Sequence, residues 1–141
     1  MRKLPDWEIE FDAFLNRNLY TPFEWGKWDC ITFSNKFVIA MTEESLLPNT
    51  WKWTDEKEAM QSIFKYGKGK GLVPAIENAI KLNTGIEEIK PNYIQKGDFG
   101  VYKEENELCF MSDGINALGV DDDGIVVKHN VDVVKAWRID G

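Results

Sequence analysis

The sequence predicts an α+β domain with its helices first and an antiparallel sheet after them. Three observations carry that expectation. From Trp7 to Leu82 the apolar residues recur at helical spacing. From Gly85 onward they fall into short runs of strand length, divided by turns such as Lys96-Gly97-Asp98, Glu105-Asn106, Asp113-Gly114 and Asp122-Asp123-Gly124. The 141 residues show no linker, repeat or low-complexity stretch, so one domain spans 1–141.

Asp6 to Leu19 reads as a first helix, because Trp7, Phe11, Phe14 and Leu15 share one face. Thr21-Pro22 ends it and starts an extended approach holding Phe23, Trp25 and Trp28. These aromatics either wall a substrate cleft or plug one end of the core. Gly26 marks a backbone position where a side chain would not fit. Asp29 is placed as a helix N-cap, which makes Cys30 the first residue of a second helix running to Met41. That helix carries apolar residues on more than one side and is expected in the middle of the fold.

Thr42 to Thr54 is a polar loop broken by Pro48, with Trp51 and Trp53 expected to pin it to the surface. Thr54 caps a third helix, Asp55 to Tyr66, whose Met60, Ile63 and Phe64 are expected to face inward. Gly67, Gly69 and Gly71 lack the Gly-Lys-Ser/Thr ending of a phosphate loop and read as a turn into a fourth helix, Leu72 to Leu82. The strand runs are 86–89, 99–102, 108–111, 115–120, 125–127 and 131–139, and tight turns imply an antiparallel meander. Asp121, Asp122 and Asp123 before Gly124 form a hairpin turn without the alternating oxygen ligands of a calcium loop.

Composition removes several function classes. The net charge of −7 argues against nucleic-acid binding, which needs a basic face, and against adhesion to anionic membranes. No apolar run reaches bilayer length, and Met1 to Glu8 has no apolar core of a secretory signal. Two cysteines and one histidine supply neither a disulfide framework nor a zinc site, and no cofactor is indicated.

Cys30 is the candidate nucleophile. A thiol at a helix N-terminus faces the positive end of the dipole, which favours the anionic form that attacks a carbonyl. The competing reading is a small buried hydrophobe.

Trp25-Gly26-Lys27-Trp28-Asp29-Cys30-Ile31-Thr32-Phe33 resembles the nucleophile segment of NlpC/P60-type cysteine peptidases. Ile94-Gln95-Lys96-Gly97-Asp98-Phe99-Gly100-Val101-Tyr102 resembles that family's Gly-Asp strand opening, and Val134-Lys135-Ala136-Trp137-Arg138-Ile139 its closing strand. With Pro22-Phe23-Glu24, Ala40-Met41-Thr42 and Gly119, the order of these segments resembles small bacteriophage and prophage proteins of NlpC/P60 type. The resemblance implies a papain-like fold and Cys30 as nucleophile on a peptide carbonyl. It makes Trp25, Trp28 and Asp29 the substrate-facing residues. It implies a phage-tail location in the virion, with bacterial cytoplasm during assembly, and as partners other tail proteins and host peptidoglycan.

One departure alters that expectation. The family's base is a histidine opening the strand after the Gly-Asp strand, and Leu108 stands there. Leucine cannot move a proton. Ile115-Asn116-Ala117 matches the segment of the third, orienting residue, which makes Asn116 the candidate for that role. His129, the only histidine, lies one strand later. It is either a solvent-facing strand end or a displaced base. The expectation is therefore a degenerate structural or plug component of a tail tip. The alternative is an active hydrolase of peptidoglycan peptide bonds using Cys30.

Overall fold

The computed structural model describes all residues, 1–141. Four helices come first: α1 (Trp7–Arg17), α2 (Cys30–Thr42), α3 (Glu56–Tyr66) and α4 (Leu72–Ile80). Six strands follow: β1 (Ile86–Ile89), β2 (Phe99–Lys103), β3 (Glu107–Ser112), β4 (Ala117–Asp121), β5 (Gly124–Lys128) and β6 (Asp132–Ile139). A single 3-10 turn, Pro91–Tyr93, joins β1 to β2. The α+β class is as the change of period predicts.

The strands form one antiparallel sheet in the order β1-β6-β2-β3-β4-β5. β2 to β5 make the expected meander. β6 departs from it by crossing back to lie between β1 and β2. Composition explains the placement: Ala136, Trp137 and Ile139 of β6 are buried and suit an interior strand. β1 carries exposed Glu87 and Glu88 and suits an edge.

α2 is the axis of the core. Ile31, Phe33, Phe37, Val38 and Met41 are buried on it, and it rests on α1, β3 and β4. Phe37 touches Phe11, Phe14 and Phe33 at ring separations of 4.9, 4.8 and 5.1 Å. Pairs like these add to the apolar area they bury and fix the angle between α1 and α2. A smaller cluster of Tyr102, Phe110 and Ala117, with Ile94, Leu108 and Val133, lies on the other face of the sheet.

The Gly-Asp and Trp-Arg segments meet in space. Asp98 is fully buried and accepts hydrogen bonds from Arg138 Nε (3.0 Å), Arg138 Nη2 (2.8 Å) and the Gln95 amide (2.7 Å). A buried charge persists only when paired and hydrogen-bonded in this way. The pair ties the start of β2 to β6.

Several local expectations are corrected. Met60 and Phe64 are 50% and 70% exposed, and Ala59 is the buried residue of α3. That helix packs mainly on α4 rather than on the sheet. Its cap is Asp55, whose carboxylate accepts the Glu58 amide, while the Thr54 hydroxyl and amide both donate to the Glu58 side chain. Trp53 is buried, and only Trp51 stays near the surface, stacked on Tyr66 at 4.4 Å. Ile115 is 90% exposed outside any strand, because Asp113 Oδ1 accepts the Ile115 and Asn116 amides and turns the chain there.

Candidate functional site

The site begins with one carboxylate. Asp29 Oδ1 accepts the amides of Ile31 (3.0 Å) and Thr32 (2.9 Å), capping α2. The Thr32 hydroxyl accepts the Asp29 amide at 2.9 Å, completing a reciprocal capping box. Asp29 Oδ2 reaches outward and accepts Gly26 N–H (2.8 Å) and Trp53 Nε1–H (2.7 Å). A residue expected to face substrate is thus 2% exposed and fully used in holding three segments together. Gly26 has φ of +81°, and a Cβ there would lie 1.8 Å from the Trp53 carbonyl oxygen. Only glycine permits that approach.

This clamp fixes Cys30 as the first residue of α2, half-buried, with its Sγ accepting the Cys109 amide at 3.4 Å. The amide is free for it because β3 and β4 pair only at Met111–Leu118 and Ser112–Ala117. The strands separate toward Cys109, and the tip of α2 meets the gap.

Two cavities share Trp25, Asp29, Cys30 and Leu108. The larger, about 410 Å³, runs under α3 and is lined by Ile31, Trp53, Met60 and Ile63, with Glu56 and Glu107 among its polar residues. The smaller, about 180 Å³, runs the other way past Phe23, Tyr102, Cys109 and Val126. The approach aromatics therefore divide between the two expected roles. Trp25 and Phe23 wall the cavities. Trp28 is 3% exposed, packs on Phe33 at 5.1 Å and lines neither.

His129 and Asn116 are brought together, but elsewhere. His129 Nδ1 and Asn116 Oδ1 lie 2.7 Å apart just beyond the Ala117–Lys128 pair of β4 and β5. Asn116 lines a third cavity with Phe110, Ser112 and Lys128, and Cys30 does not line it. Asn116 bonds to Asp113 through both backbone groups, so it sits at the level of the residue four places along from Cys109. At about 3.3 Å per strand residue that is a separation of roughly 13 Å along the sheet. What the thiol meets is the Cys109 amide, and the cavities it lines carry Leu108 where the base is expected.

The electrostatics agree with an apolar surround. The Cys109 thiol is held well above its usual range, first by hydrogen bonding to the Cys30 side chain and then by burial. Tyr102 is pushed up by burial, by the neighbouring Glu104 carboxylate and, more weakly, by the two cysteines. Asp29 has no lone pair to spare for a thiol proton. No group of three or more His, Cys, Asp and Glu side chains is arranged to hold a metal ion.

Cys109 and Trp53 are the site residues that sequence reading did not single out. Trp53 had a signal, since it is one of two tryptophans in a polar loop and such a residue seldom stays exposed. Cys109 had only its alternation with Leu108 along a strand.

The fold and the site together define an α+β protein whose buried central helix presents a thiol at its N-terminus. Residues 2–139 match the family described as Domain of unknown function (DUF6950), and the chain belongs to that family. Comparison with curated proteins and with solved structures gives no match.

Proposed function

We propose that this chain is a bacteriophage tail-associated protein with a papain-like, NlpC/P60-type fold that keeps the nucleophile half of a cysteine-peptidase site and has lost the half that moves protons. On this reading it works in the virion as a structural or plug component of the tail tip, with other tail proteins as partners. The order of its segments supports the fold assignment. One observation carries the functional reading: Cys30 Sγ accepts the Cys109 amide and the cavities that Cys30 lines carry Leu108 and no histidine, while the only imidazole is bonded to Asn116 roughly 13 Å away along the sheet. Without a group that takes the thiol proton and returns it to the leaving amine, amide hydrolysis stalls.

The test is digestion of purified peptidoglycan by the full chain and by Cys30→Ala, reading released peptide amines. Equal, background-level release is expected from both. Release by the wild type that Cys30→Ala abolishes would overturn the degenerate reading. Mass spectrometry of purified particles checks the location, since a tail component is present in the virion at fixed stoichiometry. The hydrolase reading has one observation in its favour, the cavity of about 410 Å³ that Cys30 lines.

A further inference from the structure

Cys109 is a buried nucleophile that the proposed function does not use. Its amide nitrogen is 3.4 Å from Cys30 Sγ. One N–Cα bond of about 1.5 Å further on is its own Cα, so the Cys30 sulfur lies within about 5 Å of that atom. A cysteine side chain spans most of that distance. The two thiols are within hydrogen-bonding reach of each other, the approach a disulfide needs. The two residues also line one cavity, and both are free thiols.

We propose that Cys30 and Cys109 form a two-thiol oxidation site, in which Cys30 is oxidised by a reagent of the peroxide class and Cys109 resolves the product into an intramolecular disulfide. The roles follow from access and charge. Cys30 is half-buried at the junction of both cavities, whereas Cys109 is 5% exposed. Burial and the neighbouring sulfur keep Cys109 protonated, so it is not the first to react.

In the first step the Cys30 thiolate attacks one oxygen of hydrogen peroxide. An S–O bond forms, the O–O bond breaks and hydroxide leaves, so sulfur is oxidised by two electrons and the peroxide reduced. In the second, the Cys109 sulfur attacks the sulfenic sulfur. The S–S bond forms, the S–O bond breaks, and the thiol proton leaves with the hydroxyl as water. The product ties the tip of α2 to β3 and removes the thiol from the groove. This inference is independent of the phage assignment, since it needs only the two sulfurs and the gap between β3 and β4.

The experiment treats the full chain with hydrogen peroxide, alkylates remaining thiols under denaturing conditions and maps peptides without reduction. The wild type is expected to give one Cys30–Cys109 cross-linked peptide, lost on adding a reductant, with alkylation of both cysteines falling together. Cys109→Ser is expected to stop at a Cys30 sulfenic acid trapped by dimedone, with at least about ten times the wild-type signal. Cys109→Ala repeats this should serine not be accepted at a buried position. Over-oxidised Cys30 beside untouched Cys109 in the wild type would overturn the proposal, as would disulfides found only between chains. So would equal dimedone labelling of the wild type and both variants.

Discussion

Trp53 Nε1 donates a 2.7 Å hydrogen bond to the same Asp29 oxygen that accepts the Gly26 amide, across 24 residues of chain. The other oxygen of that carboxylate caps α2. One buried side chain therefore sets where α2 begins, where Trp53 stands and how the approach loop turns, and through these the position of Cys30. Asp29→Ala removes a cap, worth about 1 kcal/mol, and leaves two buried donors without partners at about 1–3 kcal/mol each. A total loss of about 3–7 kcal/mol is expected from urea unfolding. Asp29→Asn keeps the Oδ1 bonds and is expected to lose about half as much. A loss under about 1 kcal/mol for the alanine variant would show that water replaces the clamp.

Gly26→Ala tests the other side of the same clamp. The new methyl would stand 1.8 Å from the Trp53 carbonyl oxygen at a backbone φ of +81°, where L-residues are strained. Both effects oppose the native loop, and a destabilisation of about 2–4 kcal/mol is expected, with a red shift of tryptophan emission as Trp53 becomes wet. Unchanged emission with unchanged stability would mean that the Thr42–Thr54 loop moves aside freely.

How much of this could be read from the chain depends on the range of each interaction. The start of α2 was legible because a cap is local: Asp29, Cys30 and Thr32 lie within one turn. Four turns in the second half were legible because Gly, Asn and Asp restrict the backbone where they stand, and β1 falls at Ile86–Ile89 as expected. The inward face of α3 was misread because periodicity shows that a face is apolar, not which element covers it. Its neighbour is the short α4, and Met60 and Phe64 overhang it. The insertion of β6 and the meeting of Cys30 with Cys109 depend on strand order and on where β3 and β4 separate, and no local rule encodes either. The displacement of His129 from Cys30 has the same origin.

Alkali offers a titration of two buried groups of the sheet, Tyr102 and Cys109. The Tyr102 phenol is pushed up by burial and Glu104, and the Cys109 thiol by its contact with Cys30 and burial. Above about pH 8.5 for the thiol and about pH 10 for the phenol, the unfolded chain holds fewer protons than the fold. Stability is therefore full below those values and falls as pH rises. Lys135, raised chiefly by its bond to Glu77, adds a loss of the same sign above about pH 10.4. Lys3, lowered by desolvation, acts the opposite way just below it. Urea midpoints between about pH 8 and about pH 11 are expected to decline, and Tyr102→Phe to remove at most about 1.4 kcal/mol per pH unit of that slope above about pH 10. A midpoint that rises with pH across this range would show that Lys3 dominates.

Arg138→Leu isolates the buried charge of Asp98. The guanidinium supplies both a charge and hydrogen bonds to a carboxylate with 0% exposure, leaving only the Gln95 amide when it is gone. Breaking a buried pair by removing one partner costs about 3–5 kcal/mol. The double variant Asp98→Leu with Arg138→Leu is expected to recover about half of the loss or more, because no uncompensated charge remains. A double variant no more stable than the single one would show that the pair's value lies in positioning β2 against β6 rather than in charge balance.

His129→Ala separates the two halves of the presumed catalytic set. His129 is bonded to Asn116 at 2.7 Å, and neither residue lines the cavities that Cys30 lines. A general base must come within hydrogen-bond reach of the proton it removes, about 2.6–3.2 Å or through one water. A separation of roughly 13 Å along the strands allows neither. The rate of Cys30 alkylation by iodoacetamide near pH 6.5 is therefore expected to stay within about twofold of the wild type in His129→Ala and in Asn116→Ala. The same rate is expected to rise several-fold in Leu108→His, which puts an imidazole on the wall of the cavities that Cys30 lines. A tenfold fall in His129→Ala would mean that the β5–β6 turn swings toward α2 in solution, and it would return the hydrolase reading to first place.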